Sequence, residues 1–238
     1  MKKLFYFIIA LILSTGNAMA FENEPEEGLS WMGLFGMNIT KIQNNGYGAK
    51  VGAMMGVRAD YVLPKAHGTY ITAGIDWSMK GGKTSVLYDN NNIEAKGSLK
   101  YALHYIEVPV RVGFRYNLSE DLGFYGELGP YFSVGIGGRH KCSIDADGDA
   151  ARELEDEQSF KAFKNYGYPI PSFQRWDAGI GFRIGAEYNQ RYNLLIGADW
   201  GLADIFRGSL RDEYFNQTGV RLPKPRNFNF SFTLGYRF

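Results

Sequence analysis

The sequence is poor in cysteine, in proline and in net charge, and each shortage excludes a class of protein. Among 238 residues there is one cysteine, Cys142, so an internal disulfide and a paired-cysteine metal or redox motif are both excluded. The formal net charge is +1, which gives no reason to expect nucleic acid or a charged surface as a partner. With only 8 prolines, long strands are permitted, and 30 glycines with 16% aromatic residues suit close-packed strands joined by tight turns.

Long hydrophobic runs are missing beyond residues 1–20. Within that segment two lysines precede the apolar run Leu4–Leu13, and Ala18-Met19-Ala20 follows as a cleavage site. This is the pattern of a cleavable export signal, and the run is too short to span a bilayer as a helix. We therefore expect a signal peptide at residues 1–20, a lead-in at 21–27 and one domain at 28–238.

The C-terminal segment alternates without interruption between an apolar and a polar set of residues. The apolar set is Phe228, Phe230, Phe232, Leu234, Tyr236 and Phe238. The polar set is Asn227, Asn229, Ser231, Thr233, Gly235 and Arg237. This period-two pattern predicts a β-strand with one apolar and one polar face. In water such a face would promote aggregation, so it must meet either a second protein layer or lipid.

Other segments alternate in the same way, and together they give eight predicted strands with connections of unequal length. The connections in chain order are Lys41–Tyr47, Leu63–Gly68, Gly81–Ser98, Asn117–Asp121, Gly138–Gln174, Asn189–Arg191 and Asp204–Arg226. Three tight turns and both termini at one end are typical of a small outer-membrane barrel. We predict an all-β fold, an eight-stranded antiparallel up-and-down transmembrane β-barrel whose first and last strands meet. Within the longest connection, Ala151–Phe163 is predicted to form a short helix.

Alternation alone leaves two architectures open, a membrane barrel and a soluble lipocalin-like barrel with its apolar face inside. The apolar sets are too bulky and aromatic to fill an eight-stranded interior, and the opposite sets are rich in glycine. Both features, together with the terminal Phe238, favour the membrane barrel. Aromatic residues near the strand ends would then form two interfacial girdles. These are Trp31, Trp77, Tyr116, Trp176, Tyr188, Tyr192, Trp200 and Tyr236.

The polar face carries charges on nearly every strand, and in a membrane barrel they would point into the lumen. The inward set is Arg58, Asp60, Asp76, Glu107, Arg111, Arg115, Glu127, Asp177, Arg183, Glu187, Asp199 and Arg237. Because charges in a narrow lumen must pair or stay hydrated, we predict a structural network of ion pairs, with a gated polar pathway as the alternative. A wide diffusion pore is not expected, since eight strands leave little free bore.

Several short motifs resemble one family in their order and spacing. They are Tyr105-Ile106-Glu107-Val108-Pro109-Val110, Gly129-Pro130-Tyr131, Asp177-Ala178-Gly179 and the final Phe-Thr-Leu-Gly-Tyr-Arg-Phe. Through them the mature chain resembles the PorT-like outer-membrane β-barrel domain family, related in architecture to small OmpA/OmpX-type barrels. The resemblance implies an outer-membrane location in a Gram-negative cell and transfers no catalytic residue. It also implies that Tyr236 and Phe238 form a C-terminal assembly signal.

Motifs for catalysis and metal binding are sparse. His140, Ser143 and Asp145 share one predicted loop and loosely resemble the parts of a hydrolase, but such groupings are common on charged loops, and no enzyme is predicted. Asp145, Asp147 and Asp149 have the alternate spacing of a calcium loop. The glycine that such a loop requires is displaced, so a solvated acidic loop tip is the favoured interpretation, and no cofactor is predicted.

Three functions are compatible with this pattern. The first is an integral outer-membrane barrel with a structural or surface-interaction role, in which extracellular loops carry the specificity. The second is a narrow, porin-like channel for small solutes, and the third is an accessory subunit of a secretion or envelope assembly. The expected partners are outer-membrane lipid, the barrel assembly machinery during biogenesis, and an unidentified envelope or surface protein.

Overall fold

A computed structural model of the chain describes residues 25–43, 48–90, 93–147, 156–166, 172–221 and 223–238. The predicted signal peptide, residues 1–20, lies outside the described residues. The described strands and helix are β1 Gly28–Gln43, β2 Lys50–Val62, β3 Thr69–Asn90, β4 Ile93–Asn117, β5 Leu122–Asp147, β6 Asp156–Lys161, β7 Trp176–Tyr188, β8 Tyr192–Gly201, α1 Gly208–Thr218 and β9 Arg226–Arg237.

Eight of these strands form a closed antiparallel ring. The hydrogen-bonded order is β4, β3, β2, β1, β9, β8, β7 and β5, and the pairing of β4 with β5 closes the ring. The short strand β6 is outside the ring and pairs with the distal part of β5. The predicted eight-stranded antiparallel barrel is confirmed, including the meeting of its first and last strands.

The closing strand β9 lies between β1 and β8. Phe232 is opposite Met37 on one side and Ile196 on the other, so apolar residues of three strands share one face. The predicted strand at 227–238 differs from the observed one by a single residue at each end. Its period-two pattern therefore indicated both the strand and its facing.

The apolar faces point outward and the polar faces point inward around the whole ring. Phe35 and Leu234 on the outer face are each 63% exposed, whereas Arg58 on the inner face is 1% exposed. A soluble protein would bury the first group and hydrate the second. This inverted distribution matches a barrel whose outer surface is solvated by lipid.

The two ends of the barrel differ in construction. At the turn end, tight turns join β2 to β3, β4 to β5 and β7 to β8, and the terminal Phe238 donates its backbone N–H to Trp31. Asn189 and Gln190 both adopt positive φ, as a tight hairpin turn requires. The opposite end, called the loop end, carries the β3–β4 hairpin, β6 and α1.

Outward aromatic residues lie near both ends of the strands. Trp77, Trp176 and Trp200 lie toward the loop end, as their registers with neighbouring strands show. Tyr188 and Tyr192 are paired beside the turn that joins β7 to β8, and Tyr192 packs on Tyr236 with ring centroids 5.6 Å apart. Amphipathic rings at two levels are typical of a barrel spanning both membrane interfaces.

The predicted loops Gly81–Ser98 and Gly138–Gln174 are wrong in part, because residues 81–90, 93–98 and 138–147 are strand. β3 and β4 continue in register to the pair Asn90 and Ile93, and β5 continues to Asp147. These extensions lie toward the loop end, past the outward residues Trp77 and Trp176. The sequence there, for example Gly81-Gly82-Lys83-Thr84-Ser85, lacks the apolar–polar contrast on which the prediction depended.

The helical content was also mispredicted. In place of the expected helix at Ala151–Phe163, residues 156–161 form β6, while residues 151–155 lie outside the described part. The helix α1, at Gly208–Thr218, falls in a segment expected to be a connection. It begins after Arg207 without a side-chain cap, so the usual sequence signal for a helix start is missing. No helix in the described ranges is long and apolar enough to cross a membrane.

The environment of the outer face is testable with two exposed apolar residues of similar accessibility. Val57 lies mid-strand and is 52% exposed, and Leu118 lies in the β4–β5 turn and is 58% exposed. In lipid vesicles, Val57→Arg should lower the free energy of unfolding by about 2–4 kcal/mol, because it places a cation in hydrocarbon. Leu118→Arg should cost about 0–1 kcal/mol, since its site is near the interface.

Denaturant titration of the refolded variants measures both values. Equal, small costs for the two substitutions would contradict a lipid-facing position for Val57.

Candidate functional site

The lumen of the barrel contains a network of buried charges, and small residues on the inner face make room for it. Gly181 and Gly197 point inward on β7 and β8, on either side of the Arg183–Asp199 pair. A Cβ atom on Gly197 would overlap the Arg183 side chain, and one on Gly181 would overlap the Asp199 carboxylate. The glycine-rich inner face thus provides the space that two large charged side chains occupy.

A bidentate pair joins Arg183 to Asp199. The two guanidinium nitrogens Nη1 and Nη2 donate to the two carboxylate oxygens at 2.8 and 2.9 Å. Asn229 donates from Nδ2 to Asp199 Oδ2 at 2.9 Å. Charge-assisted, bidentate bonds of this kind are strong and fix the orientation of both groups.

Further bonds cross the lumen between strands that are not neighbours. Arg58 on β2 donates from Nη1 to Glu127 on β5 at 2.9 Å, and the two strands are three positions apart in the ring. Arg111 on β4 bridges Glu127 at 3.4 Å and Asp199 on β8 at 3.5 Å. Arg58 also pairs with Asp76 at 3.0 Å. Together these contacts form a central layer that spans the bore.

A second layer lies toward the loop end and is built around a lysine. Lys80 Nζ is 2.7 Å from Glu107 Oε2 and 3.5 Å from Asp177 Oδ2. Its ammonium also lies over the Tyr131 ring, 4.5 Å from the centroid. Asn227 donates from Nδ2 to Asp177 at 2.8 Å. β3, β4, β7 and β9 therefore meet at one buried ammonium group and its two carboxylates.

A third layer lies at the turn end. Arg237 on β9 donates to Asp60 on β2 and to Glu187 on β7, each at 2.9 Å. Arg115 is 3.3 Å from the same oxygen of Asp60. Ser30 on β1 accepts a further bond from Arg237 at 2.6 Å. The penultimate residue of the chain is thus anchored inside the barrel by three strands.

Above the charge layers, the described residues of the loop end form a buried apolar cluster, called the apolar lid. It comprises Ile42, Tyr101, Leu103, Tyr105, Ala162, Phe163, Phe173, Ile205, Phe206 and Leu210. The connecting segments are tied down by Arg207, which donates to the carbonyls of Phe163 at 3.0 Å and Phe173 at 3.3 Å. Phe173 packs edge-on against Tyr101 with ring centroids 5.0 Å apart. The lid joins the connections before β7 and β9 to the inner wall.

All twelve residues of the predicted inward set lie on the inner face and are buried. The structure distributes them over the three layers rather than gathering them at one place. Lys80 belongs with them but was not in the predicted set. Lys80 follows Asp76 and Ser78 at even spacing on β3, so the alternation of the sequence already indicated that it lies on the inner face. The prediction ended the strand at Lys80, so its parity was not used.

The weaker candidates for catalysis and calcium binding are not brought together. His140 is buried toward the apolar lid and stacks on Phe160, whereas Ser143 is on the opposite face of β5 and shares a hydrogen bond of 2.7 Å with Ser98. The backbone places Asp145 and Asp147 in β5 instead of a loop, and Asp149 lies outside the described residues. Within the described ranges, no cluster of three metal-ligating side chains occurs.

Comparison with known proteins gives one family match. Residues 20–207 match the family model described as an outer membrane protein beta-barrel domain. No match is found among curated proteins.

Several solved structures are similar over nearly the whole chain. The attachment invasion locus protein Ail of Yersinia pestis is 15% identical, with 90% of this chain and 100% of that chain covered and a TM-score of 0.39. Neisserial surface protein A is 13% identical, with coverage of 89% and 100% and a TM-score of 0.41. The outer membrane protein OprG from Pseudomonas aeruginosa is 12% identical, with coverage of 90% and 98% and a TM-score of 0.38.

The contribution of the lumen network to stability is testable at Arg183. Arg183→Met should lower the free energy of unfolding by about 3–5 kcal/mol, because it leaves part of the Asp199 charge buried without its main partner. The double variant Arg183→Met/Asp199→Leu should recover part of this loss, since both charges of the pair are then removed. Denaturant titration of the refolded barrel measures each value.

Arg211 provides the matched control. It pairs with Asp204 outside the lumen, where the two side chains are 24% and 15% exposed. Arg211→Met should change the free energy of unfolding by about 0–1 kcal/mol. A cost at Arg183 no larger than that at Arg211 would refute a structural role for the central layer.

Proposed function

The chain belongs to the outer membrane protein beta-barrel domain family, and from this premise we propose that it acts as a surface-interaction barrel, not as a channel or an enzyme. In this proposal the ring of eight strands is a rigid membrane anchor. The loop end is the functional part and faces the outside of a Gram-negative cell. The motif Tyr105–Val110 supports placing the chain in the PorT-like branch of the family, and this assignment is part of the proposal.

The observation that carries the proposal is the occupied lumen. The side chains of Arg58, Arg111 and Arg183 in the central layer are at most 1% exposed; Arg58 and Arg111 bond to partners across the bore, and Arg183 bonds to Asp199 on the neighbouring strand. The apolar lid lies over them at the loop end. A solute would have to separate buried ion pairs to pass, and breaking such a pair is strongly unfavourable.

The construction of the loop end supports a surface role. β3, β4 and β5 continue beyond the lipid-facing band as a paired sheet, in which Lys83 is opposite Lys100 and Lys100 is opposite Lys141. β6 widens this sheet by one strand. A hydrogen-bonded sheet holds its side chains at fixed spacings, which favours binding more than an unpaired loop of the same length would.

The orientation follows from the same asymmetry. Outer-membrane barrels have short turns on the periplasmic side and longer excursions outside. The proposal therefore includes export by a cleavable signal at residues 1–20, periplasmic turns, and outer-membrane lipid around the apolar face. An envelope or surface protein as a partner of the loop end is part of the same proposal.

The closed lumen predicts the electrical behaviour of the purified protein. Refolded into planar bilayers, it should give no stepwise conductance, because a solute would have to pass the buried ion pairs of the central layer and the apolar lid. The experiment is a single-channel recording, with a large porin inserted under the same conditions as the positive control. Reproducible steps from the purified barrel would overturn the closed-lumen proposal in favour of a narrow channel.

The C-terminus predicts how the barrel assembles. Phe238 is the most exposed of the large apolar residues described, its ring packs on Tyr236 at 5.4 Å, and its N–H bonds to Trp31. We propose that the barrel assembly machinery recognises Tyr236 and Phe238. Deleting Phe238 should reduce inserted, heat-modifiable protein in cells about tenfold while leaving refolding in detergent intact, because the lumen network ends at Arg237.

Gel migration with and without heating, together with fractionation of membranes, measures this effect. Phe35→Ala removes a lipid-facing aromatic ring of β1 and serves as the control. Normal insertion of the chain lacking Phe238 would refute an assembly signal at this terminus.

A further inference from the structure

A strongly basic cleft lies on the loop end, away from the lumen network. It has a volume of about 830 Å³, and among its described lining residues there are seven lysines and arginines and no acidic residue. Six of them form the group called here the basic cleft: Lys100, Arg139, Lys141, Lys161, Lys164 and Arg175. They come from β4, β5, β6 and the segments that flank β6 and β7, so the cluster depends on the fold.

The strand register places like charges directly opposite each other. Lys100 on β4 is opposite Lys141 on β5, and Arg139 on β5 is opposite Lys161 on β6. Directly opposed like charges destabilise a sheet, although Lys141 also has a further contact within the chain. An anion bound between the strands would relieve the repulsion of both pairs at once.

Arg175 is held in place to receive such an anion. Its Nη1 donates to the carbonyl of Gly135 at 2.9 Å, and its guanidinium lies over the Phe163 ring at 5.3 Å. Phe163 belongs to the apolar lid and is itself buried. A guanidinium has five N–H donors, so the group still has donors to offer after this contact. Its planar fork is suited to phosphate oxygens.

The height of the cleft relative to the membrane indicates where the anion comes from. Ile136 on β5 is outward and 54% exposed, and Arg139 follows it by three residues, or about 10 Å along the strand. Trp176, an outward aromatic residue of the loop-end girdle, directly follows Arg175. The cleft also includes Ile136, Ala102 and His104 in its lining, so it is continuous with the lipid-facing surface. Its charges therefore lie at the level of lipid headgroups.

We propose that the basic cleft binds the phosphate groups of the phosphorylated glycolipid that forms the outer leaflet of the outer membrane. Basic pockets just above the hydrocarbon region are the usual sites for anionic headgroups. The continuity with the apolar outer face favours a lipid over a soluble polyanion, because acyl chains and phosphates would be bound side by side. The inference rests on the orientation given in the proposed function.

The test is a titration of the whole mature barrel in detergent micelles with bisphosphorylated lipid A, followed by native mass spectrometry. The variant Lys100→Gln/Arg139→Gln removes one residue of each opposed pair and should weaken binding about tenfold. Lipid A stripped of both phosphates should bind the wild-type barrel about as weakly as lipid A binds this variant. Raising the salt concentration should weaken binding of the phosphorylated lipid.

The control variant is Lys65→Gln/Arg191→Gln, which removes the same number of positive charges from exposed residues of the turn end. It should bind lipid A as the wild type does. Both variants must migrate as folded, heat-modifiable barrels. Equal loss of affinity in the two variants, or equal binding of lipid A with and without phosphates, would overturn the proposal. Inositol hexakisphosphate, a soluble polyanion, serves as a competitor. If it displaces bound lipid A at a concentration lower than the one at which lipid A itself binds, the proposal is also overturned.

A separate measurement distinguishes failure of this inference from failure of the proposed function. An epitope inserted between β3 and β4 should be accessible to antibody on intact cells, and the same epitope in the β2–β3 turn should become accessible only after permeabilisation. Loss of phosphate selectivity with correct accessibility refutes the lipid site alone. Reversed accessibility refutes the orientation, and with it both the surface role and the outer-leaflet assignment.

Discussion

The burial of charge in a narrow lumen is the constraint on which the rest of this structure depends. A guanidinium or carboxylate taken out of water is tolerated only when it is paired, and an eight-stranded ring has no room to hydrate it instead. Arg58, Arg111 and Arg183 each form salt bridges with acidic residues on other strands. If a strand that carries these charges slipped by one residue, its charged side chains would face lipid. The network therefore specifies the register of the ring.

Filling the lumen with structural bonds leaves the ends as the places where such a barrel can differ from others. At the turn end, Arg237 donates hydrogen bonds to Asp60, Glu187 and Ser30, so the residues of this rim also hold strands together. The loop end is different. Its strands continue past the lipid-facing band, and lysines and arginines line the cleft on its surface.

Sequence periodicity predicted the parts of the chain that meet two different solvents. β9 and the outward faces of the other ring strands could be predicted, because apolar residues facing lipid alternate with polar residues facing the lumen. The extensions of β3 and β5 and the strand β6 were missed, because there no such contrast exists. The pairing of Arg58 with Glu127, 69 residues apart, was equally hidden. The face on which a side chain lies follows from the alternation along its own strand. Its bonding partners depend on which strands the ring places opposite each other.

The near-zero net charge illustrates the same difference between local and global properties. The lumen set together with Lys80 contains six cations and seven acids, which nearly cancel and are bonded to one another. They therefore contribute almost nothing to the field outside the barrel, even though they include six of the 26 lysines and arginines and seven of the 25 acidic residues in the sequence. The basic cleft has no acidic residue among its described lining residues. Net charge averages a paired interior with a basic surface region, so the value of +1 gave no indication of the anionic partner proposed for the loop end.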